Sequence, residues 1–307
     1  MVKASDFKGK DVISMHDYDR KQIDFILDKA TEMVEVEKKP SVLCSGRILA
    51  ALFFEPSTRT RLSFESAMIR LGGSVIGFSD PSASSVKKGE TLEDTIKTVE
   101  NYADIIAIRH PEEDSAKRAA EAASIPILNG GSGSGEHPTQ AFLDLHTIKF
   151  AKGQIDGLNI GLCGDLLYGR TTHSLALALN HFDINLYLIS PHELSMKEDI
   201  RKDLKMNVIE TTDLMKVIGK LDVLYDTRIQ KERFSDPNKY DNLKNAYIID
   251  PKVLQKGKKD LVLMHPLPRV NEITTDVDSM SNAWYFKQVK HGIYVRMALI
   301  GLALGVC

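Results

Sequence analysis

At 307 residues the chain is longer than one average domain, and its length favours two domains of roughly 150 residues each. Hydrophobic residues at 43%, charged residues at 27% and aromatics at 7% exclude a disordered or collagen-like polymer. Forty basic side chains against 42 acidic ones leave a formal charge of -2, which offers no global field for nucleic acid or an anionic membrane, so any anion site must be local.

In chain order, Met1 to Lys10 mixes charge and polarity without the apolar core of a signal peptide, which fits a cytoplasmic protein. A helical pattern near 19–37 precedes the first apolar run, 48–54. Short apolar runs then alternate with longer amphipathic stretches. Strands are expected at 74–78, 105–108 and 126–128, and helices at 59–71, 91–102 and 112–123. Gly72 and Gly73 fit a helix stop, since glycine enters the left-handed conformation cheaply. A glycine-rich stretch, 129–135, leads into a helical segment at 139–150. Strands resume at 159–162, 185–189, 207–209, 223–225, 247–249 and 261–264.

This succession predicts an α/β protein of two domains, 1–135 and 150–289, each a parallel sheet flanked by helices and joined by a linking helix over 136–149. Beyond Pro268 the chain is polar until Trp284, and from Met297 to Cys307 it is apolar. Those 11 residues fall short of the roughly 20 that span a bilayer, so a helix over about 290–307 is expected to pack back on the first domain. Cys44, Cys163 and Cys307 are far apart and odd in number, which argues against a disulfide framework or a C-x-x-C metal site.

The segment from Phe53 through Glu55, Pro56, Ser57, Thr58, Arg59, Thr60 and Arg61 sits where a strand ends and a helix begins. Free backbone N–H groups and the helix dipole favour an anion there. Ser57, Thr58 and Thr60 add hydroxyl donors, and Arg59 offers a planar fork for phosphate oxygens. A serine N-cap followed by solvated arginines is the alternative reading. Arg109-His110-Pro111 and His137-Pro138-Thr139-Gln140 also fall at strand ends, the edge at which open α/β sheets bind ligands. An arginine and a histidine there could stabilise a carbonyl oxygen that becomes negative during acyl transfer. In the second half, Tyr168-Gly169-Arg170, Asp226-Thr227-Arg228-Ile229-Gln230 and His265-Pro266-Leu267-Pro268-Arg269 repeat the placement. Arginines and a glutamine at neighbouring strand ends suit a dicarboxylic substrate, although pairing with Asp165 and Asp226 would serve equally well.

Taken in order, these motifs, with Ser84 and Lys87-Lys88-Gly89-Glu90, resemble the transcarbamoylase family over nearly the whole chain. The ornithine-using branch typically carries His-Cys-Leu-Pro near its end, whereas Pro266 occupies the cysteine position here. The resemblance implies a carbamoyl-phosphate-binding first domain, an aspartate-binding second domain, and transfer of the carbamoyl group to L-aspartate as a committed step of de novo pyrimidine biosynthesis. It implies that Ser57, Thr58, Arg59 and Thr60 hold the phosphate with Arg109, and that Thr60, Arg109 and His137 face the carbamoyl oxygen. Gln140 and the backbone of Pro266 and Leu267 would receive the carbamoyl amino group, and Arg170, Arg228 and Gln230 the aspartate carboxylates. Ser84 and Lys88 would lie on a mobile loop entering the neighbouring subunit's site of a homotrimer, with Lys88 meeting both substrates. Val86 departs from the family, whose members often have glycine there.

The family's reaction needs no cofactor or metal, and a separate regulatory chain is compatible with it. Direct attack by the aspartate amine through a tetrahedral intermediate is the implied route, with the phosphate oxygens or His137 as proton acceptor. Two other classes compete. A dinucleotide oxidoreductase would want G-x-G-x-x-G and an acidic residue ending the next strand, but Ser190-Pro191 follows Ile189. A non-catalytic binding protein would have no need of the arginines, His137 and Lys88 together.

Overall fold

The computed structural model describes all residues except 81–84, 232–233, 235–239 and 242. Ile-Leu-Ala-Ala-Leu-Phe is too continuously apolar for a surface element, and it forms β1 (Ile48–Phe53), buried from Leu49 onward. With β2 (Ser74–Phe78), β3 (Ile105–His110) and β4 (Ile127–Ser132) it makes an all-parallel sheet in the order β2-β1-β3-β4. The register aligns the carboxyl ends of the central strands, so that Phe53 lies opposite Arg109.

Helices α1 (Arg20–Val36), α2 (Thr58–Arg70), α3 (Leu92–Val99), α4 (Ser115–Ala122) and α5 (Pro138–Lys152) belong to this half of the chain. Their starts follow capping chemistry. Asp19 accepts the Gln22 N–H at 2.8 Å while the Gln22 side chain accepts the Asp19 N–H at 3.0 Å, and Thr91 accepts the Asp94 N–H at 3.1 Å.

In the second half, β5 (Asn159–Cys163), β6 (Asn185–Ile189), β7 (Asn207–Thr211), β8 (Val223–Asp226) and β9 (Val262–Met264) form a parallel sheet in the order β7-β6-β5-β8-β9. Helices α6 (Arg170–Leu179), α7 (Glu198–Asp203), α8 (Pro251–Leu254) and α9 (Tyr285–Leu304) complete the principal elements. Contacts divide the chain into two compact units: Met1–His146 with Val289–Cys307, and Thr147–Gln288. The expected two parallel sheets flanked by helices are both present. So is the return of the C-terminal helix: within the first unit the Gly9 N–H donates to the Ala303 carbonyl at 2.9 Å, and Lys290 pairs with Glu37. No helix among the described residues is long and apolar enough to cross a membrane.

Three sequence expectations change. The stretch at 247–249 is not a strand. It makes one isolated bridge, Ile249 to Ile273, because Asp250 immediately caps α8 by accepting the Val253 N–H at 2.8 Å and Pro251 has no N–H to extend a ladder. The strand expected at 126–128 runs on to Ser132 through two glycines. A Cβ on Gly130 would stand 3.1 Å from the Ile108 carbonyl oxygen, a tight approach that the bare backbone avoids where β4 continues beside β3. The final helix begins at Tyr285 rather than near 290.

Candidate active site

In the first unit, the Phe54 N–H donates to the Arg109 carbonyl at 2.8 Å and holds the β1 exit against β3. The chain passes Glu55 and Pro56 and enters α2 with Ser57 at the N-cap in extended conformation. The Ser57 side chain makes no capping bond, so the serine sits at the N-cap without closing it through its hydroxyl. Thr58 and Arg59 are exposed on the first turn and Thr60 is buried. The N–H groups of that turn have no partner within the helix, the arrangement that suits an anion. Arg61 is engaged one turn along, its Nε 3.6 Å from Glu65 Oε1.

Arg109 lies beside the cradle. Its Nε donates to Glu55 Oε1 at 2.7 Å and its Nη1 to the Gly130 carbonyl at 3.4 Å. Glu55 was not singled out from the sequence, although its place two residues before the N-cap was a usable signal. His110 belongs to the scaffold: its Nδ1 accepts the Glu112 N–H at 3.1 Å, its ring packs on Phe54, and burial pushes its pKa down.

His137 precedes α5 and is 2% exposed. Its Nε2 is 3.4 Å from Thr60 Oγ1 and its Nδ1 3.5 Å from Thr139 Oγ1. Two candidate oxyanion donors thus meet at the start of α2. Gln140 follows on the first turn of α5 and donates through Nε2 to Asp144 Oδ1 at 3.0 Å. Behind them lies Arg296 of α9, which donates to Ser63 Oγ at 2.9 Å and Thr139 Oγ1 at 3.3 Å and sits 4.8 Å over the Phe64 ring. Burial pushes its pKa down to about 9, with the Asp144 charge acting in the opposite sense. Lys88 is exposed at the end of a short turn, Ser85–Lys88, and Ser84 lies outside the described residues.

In the second unit, Gly164 leaves β5 with φ +107°, and a Cβ there would stand 2.1 Å from the Thr227 carbonyl oxygen. Only glycine lets the two strand-end loops approach so closely. Asp165 then ties them together, Oδ1 accepting the Tyr168 N–H at 2.9 Å and Oδ2 the Gln230 N–H at 3.3 Å. Burial raises its pKa, against the opposing backbone N–H groups and the Arg228 charge. Arg170 opens α6 on one loop, and Arg228 and Gln230 lie on the other, all half-buried. The alternative of arginines neutralised by both aspartates fails at Asp226, which is fully buried beside Cys163. Burial, then Glu272, pushes its carboxyl well up, although the Cys163 thiol and the Thr227 N–H act the other way.

Beyond β9, His265 Nδ1 accepts the Leu267 N–H at 2.8 Å, which places the ring proton on Nε2, 2.8 Å from Glu272 Oε1. Leu267 has φ +57°, a left-handed conformation that residues other than glycine seldom adopt, and is followed by a cis bond to Pro268. The Arg269 fork is occupied internally, by Asp278 and by the Tyr285 hydroxyl at 3.1 Å, which removes it from the arginines offered to a carboxylate.

Residues 10–150 match the family domain described as aspartate/ornithine carbamoyltransferase, carbamoyl-P binding domain, and residues 156–303 match its Asp/Orn binding domain. The chain is 58% identical over 306 residues to the aspartate carbamoyltransferase catalytic subunit of Thermococcus kodakarensis, covering 98% of this chain and 99% of that one. It superposes on aspartate transcarbamoylase from Trypanosoma cruzi, crystallised with carbamoyl phosphate and aspartate, at TM-score 0.94 and 40% identity over 99% of both chains. The same enzyme with carbamoyl aspartate and phosphate matches at TM-score 0.93 and 42% identity over 98% of each.

Proposed function

The chain belongs to the aspartate/ornithine carbamoyltransferase family, and from that membership we propose that it transfers the carbamoyl group of carbamoyl phosphate to the amino group of L-aspartate. The products are N-carbamoyl-L-aspartate and phosphate, in a committed step of pyrimidine biosynthesis. The observation that carries the reading is buried His137, with Nε2 3.4 Å from the Thr60 hydroxyl at the mouth of the helix whose first turn bears Ser57, Thr58 and Arg59. Phosphate binding and oxyanion stabilisation are thereby joined in one place.

The first unit's residues take the phosphate and carbonyl of the donor. Ser57, Thr58, Arg59 and Thr60 bind the phosphate with Arg109, while Thr60, Arg109 and His137 donate to the carbamoyl oxygen. Gln140 and the carbonyls of Pro266 and Leu267 accept from the amino group. Arg170, Arg228 and Gln230 take the two aspartate carboxylates, and Ser84 and Lys88 come from the neighbouring subunit of a homotrimer. The aspartate amine attacks the carbonyl carbon, a tetrahedral intermediate forms, and the bond to the phosphate oxygen breaks as its electron pair leaves with phosphate, whose oxygens accept the amine proton.

The donor is already activated, so holding two anionic substrates together matters more than a strong base. Positioning contributes about 7–11 kcal/mol and an oxyanion donor about 3 kcal/mol. Incubation with carbamoyl phosphate and either aspartate or ornithine tests the assignment: carbamoyl aspartate is the expected product, and product from ornithine alone overturns it. A cytoplasmic, trimeric enzyme is the form we propose, and a separate regulatory chain would register as additional mass when the native assembly is sized.

A further inference from the structure

We infer that Asp144 is a positioning residue for the donor's amino group, turning the Gln140 side-chain amide so that Oε1, and not its NH2, faces the carbamoyl nitrogen. The inference rests on the proposed assignment of Gln140 to that group. A side-chain amide has a donor end and an acceptor end of nearly equal shape, so size alone does not decide which one meets the substrate. The carbamoyl amino group needs acceptors, and an inverted amide would set two donors against each other.

The structure contains the device that decides. Gln140 and Asp144 lie one turn apart on α5, 9% and 0% exposed, with Nε2 donating to Oδ1 at 3.0 Å. A carboxylate only accepts, so its neighbour must turn the NH2 toward it and the carbonyl away. A buried guanidinium from the C-terminal helix interacts with the Asp144 charge. Arg296 is held by Ser63, Thr139 and the Gly292 carbonyl over the Phe64 ring, and the Asp144 charge acts electrostatically on it. The C-terminal helix thereby sets the polarity of one substrate contact from behind the site.

The test compares carbamoyl phosphate with acetyl phosphate, in which a methyl group replaces the amino group and cannot donate. Dissociation constants for both are measured on the intact enzyme. The wild type should favour carbamoyl phosphate by ~10-fold or more. In Asp144→Asn the Arg296 charge attracts the one remaining oxygen, leaving the new NH2 to face Gln140 and invert its amide. The preference should then shrink by roughly threefold or more, keeping only the share owed to the Pro266 and Leu267 carbonyls. Gln140→Ala should shrink it similarly, and the double variant should add nothing further.

Asp144→Ser supplies a second removal of the charge without added bulk, and thermal unfolding verifies that each variant is folded. Proportional weakening of both donors, with the ratio kept, would make Asp144 merely structural and overturn the inference. A wild type that carbamoylates aspartate without discriminating between the donors also overturns it while leaving the proposed reaction intact. A wild type that forms no carbamoyl aspartate removes both.

Discussion

His137 and Thr60 are 77 positions apart in the chain, yet each stood out in the sequence because each follows a strand. Their 3.4 Å approach turns two separate motifs into one proposed oxyanion site. His137→Ala should lower kcat by about 10²–10³-fold with little change in the aspartate KM, measured by steady-state kinetics. Arg228→Ala should instead raise the aspartate KM by ~10-fold or more, since a charged hydrogen bond to a carboxylate is lost, and leave carbamoyl phosphate binding in place. A third prediction concerns stability. His291 is buried with Nδ1 2.8 Å from His146 Nδ1, and desolvation holds its pKa down to about 4 from 6.5. The unfolded ring binds its proton more readily between those values, so this contribution is fully present above pH 6.5 and is lost as pH falls toward 4. Its ceiling is about 3 kcal/mol. His291→Gln should flatten the pH dependence of urea unfolding across that window. Asp144 was legible in principle, one turn after Gln140, but Arg296 was not, since a buried arginine looks like any other until its surroundings are known.

At the scale of elements, β1 and β6 are buried along nearly their whole length and their apolar runs admit few alternatives, while the largely exposed β2 was legible to its exact bounds as well. β4 was under-read because glycine weakens a strand pattern, whereas here it admits the close approach of Ile108. Gly164 makes the same point at the proposed acceptor site. Gly164→Ala places a methyl against the Thr227 carbonyl and strains a positive φ. It should destabilise by about 1–3 kcal/mol in denaturant unfolding and displace the Arg228 loop. The aspartate KM should rise while the carbamoyl phosphate affinity holds. The turn at Leu267 was visible only as a Pro-Leu-Pro motif. Its left-handed backbone and the His265–Glu272 contact that braces it depend on residues brought together by folding.

For the whole molecule, the proposed trimer predicts complementation. Lys88→Ala and His137→Ala chains, each inactive alone, should regain activity when dissociated and reassembled together, because about one site in four would then draw an intact His137 and an intact Lys88 from different chains. Activity that stays at the level of the separate variants would place Lys88 in its own chain's site and remove the shared-site reading. The sequence by itself determined the α/β class, the two parallel sheets and the family, because strand runs and strand-end motifs are local patterns written in consecutive residues. Tertiary structure decided what each polar group does. It assigned Arg269 to Asp278, left the Ser57 hydroxyl out of the helix cap, buried Asp226 beside Cys163, and set Arg296 and Asp144 behind Gln140. The physical reason is that a charge or hydrogen-bonding group is defined by its partner, and such a partner can lie 233 residues away along the chain, as with Arg296 and Ser63.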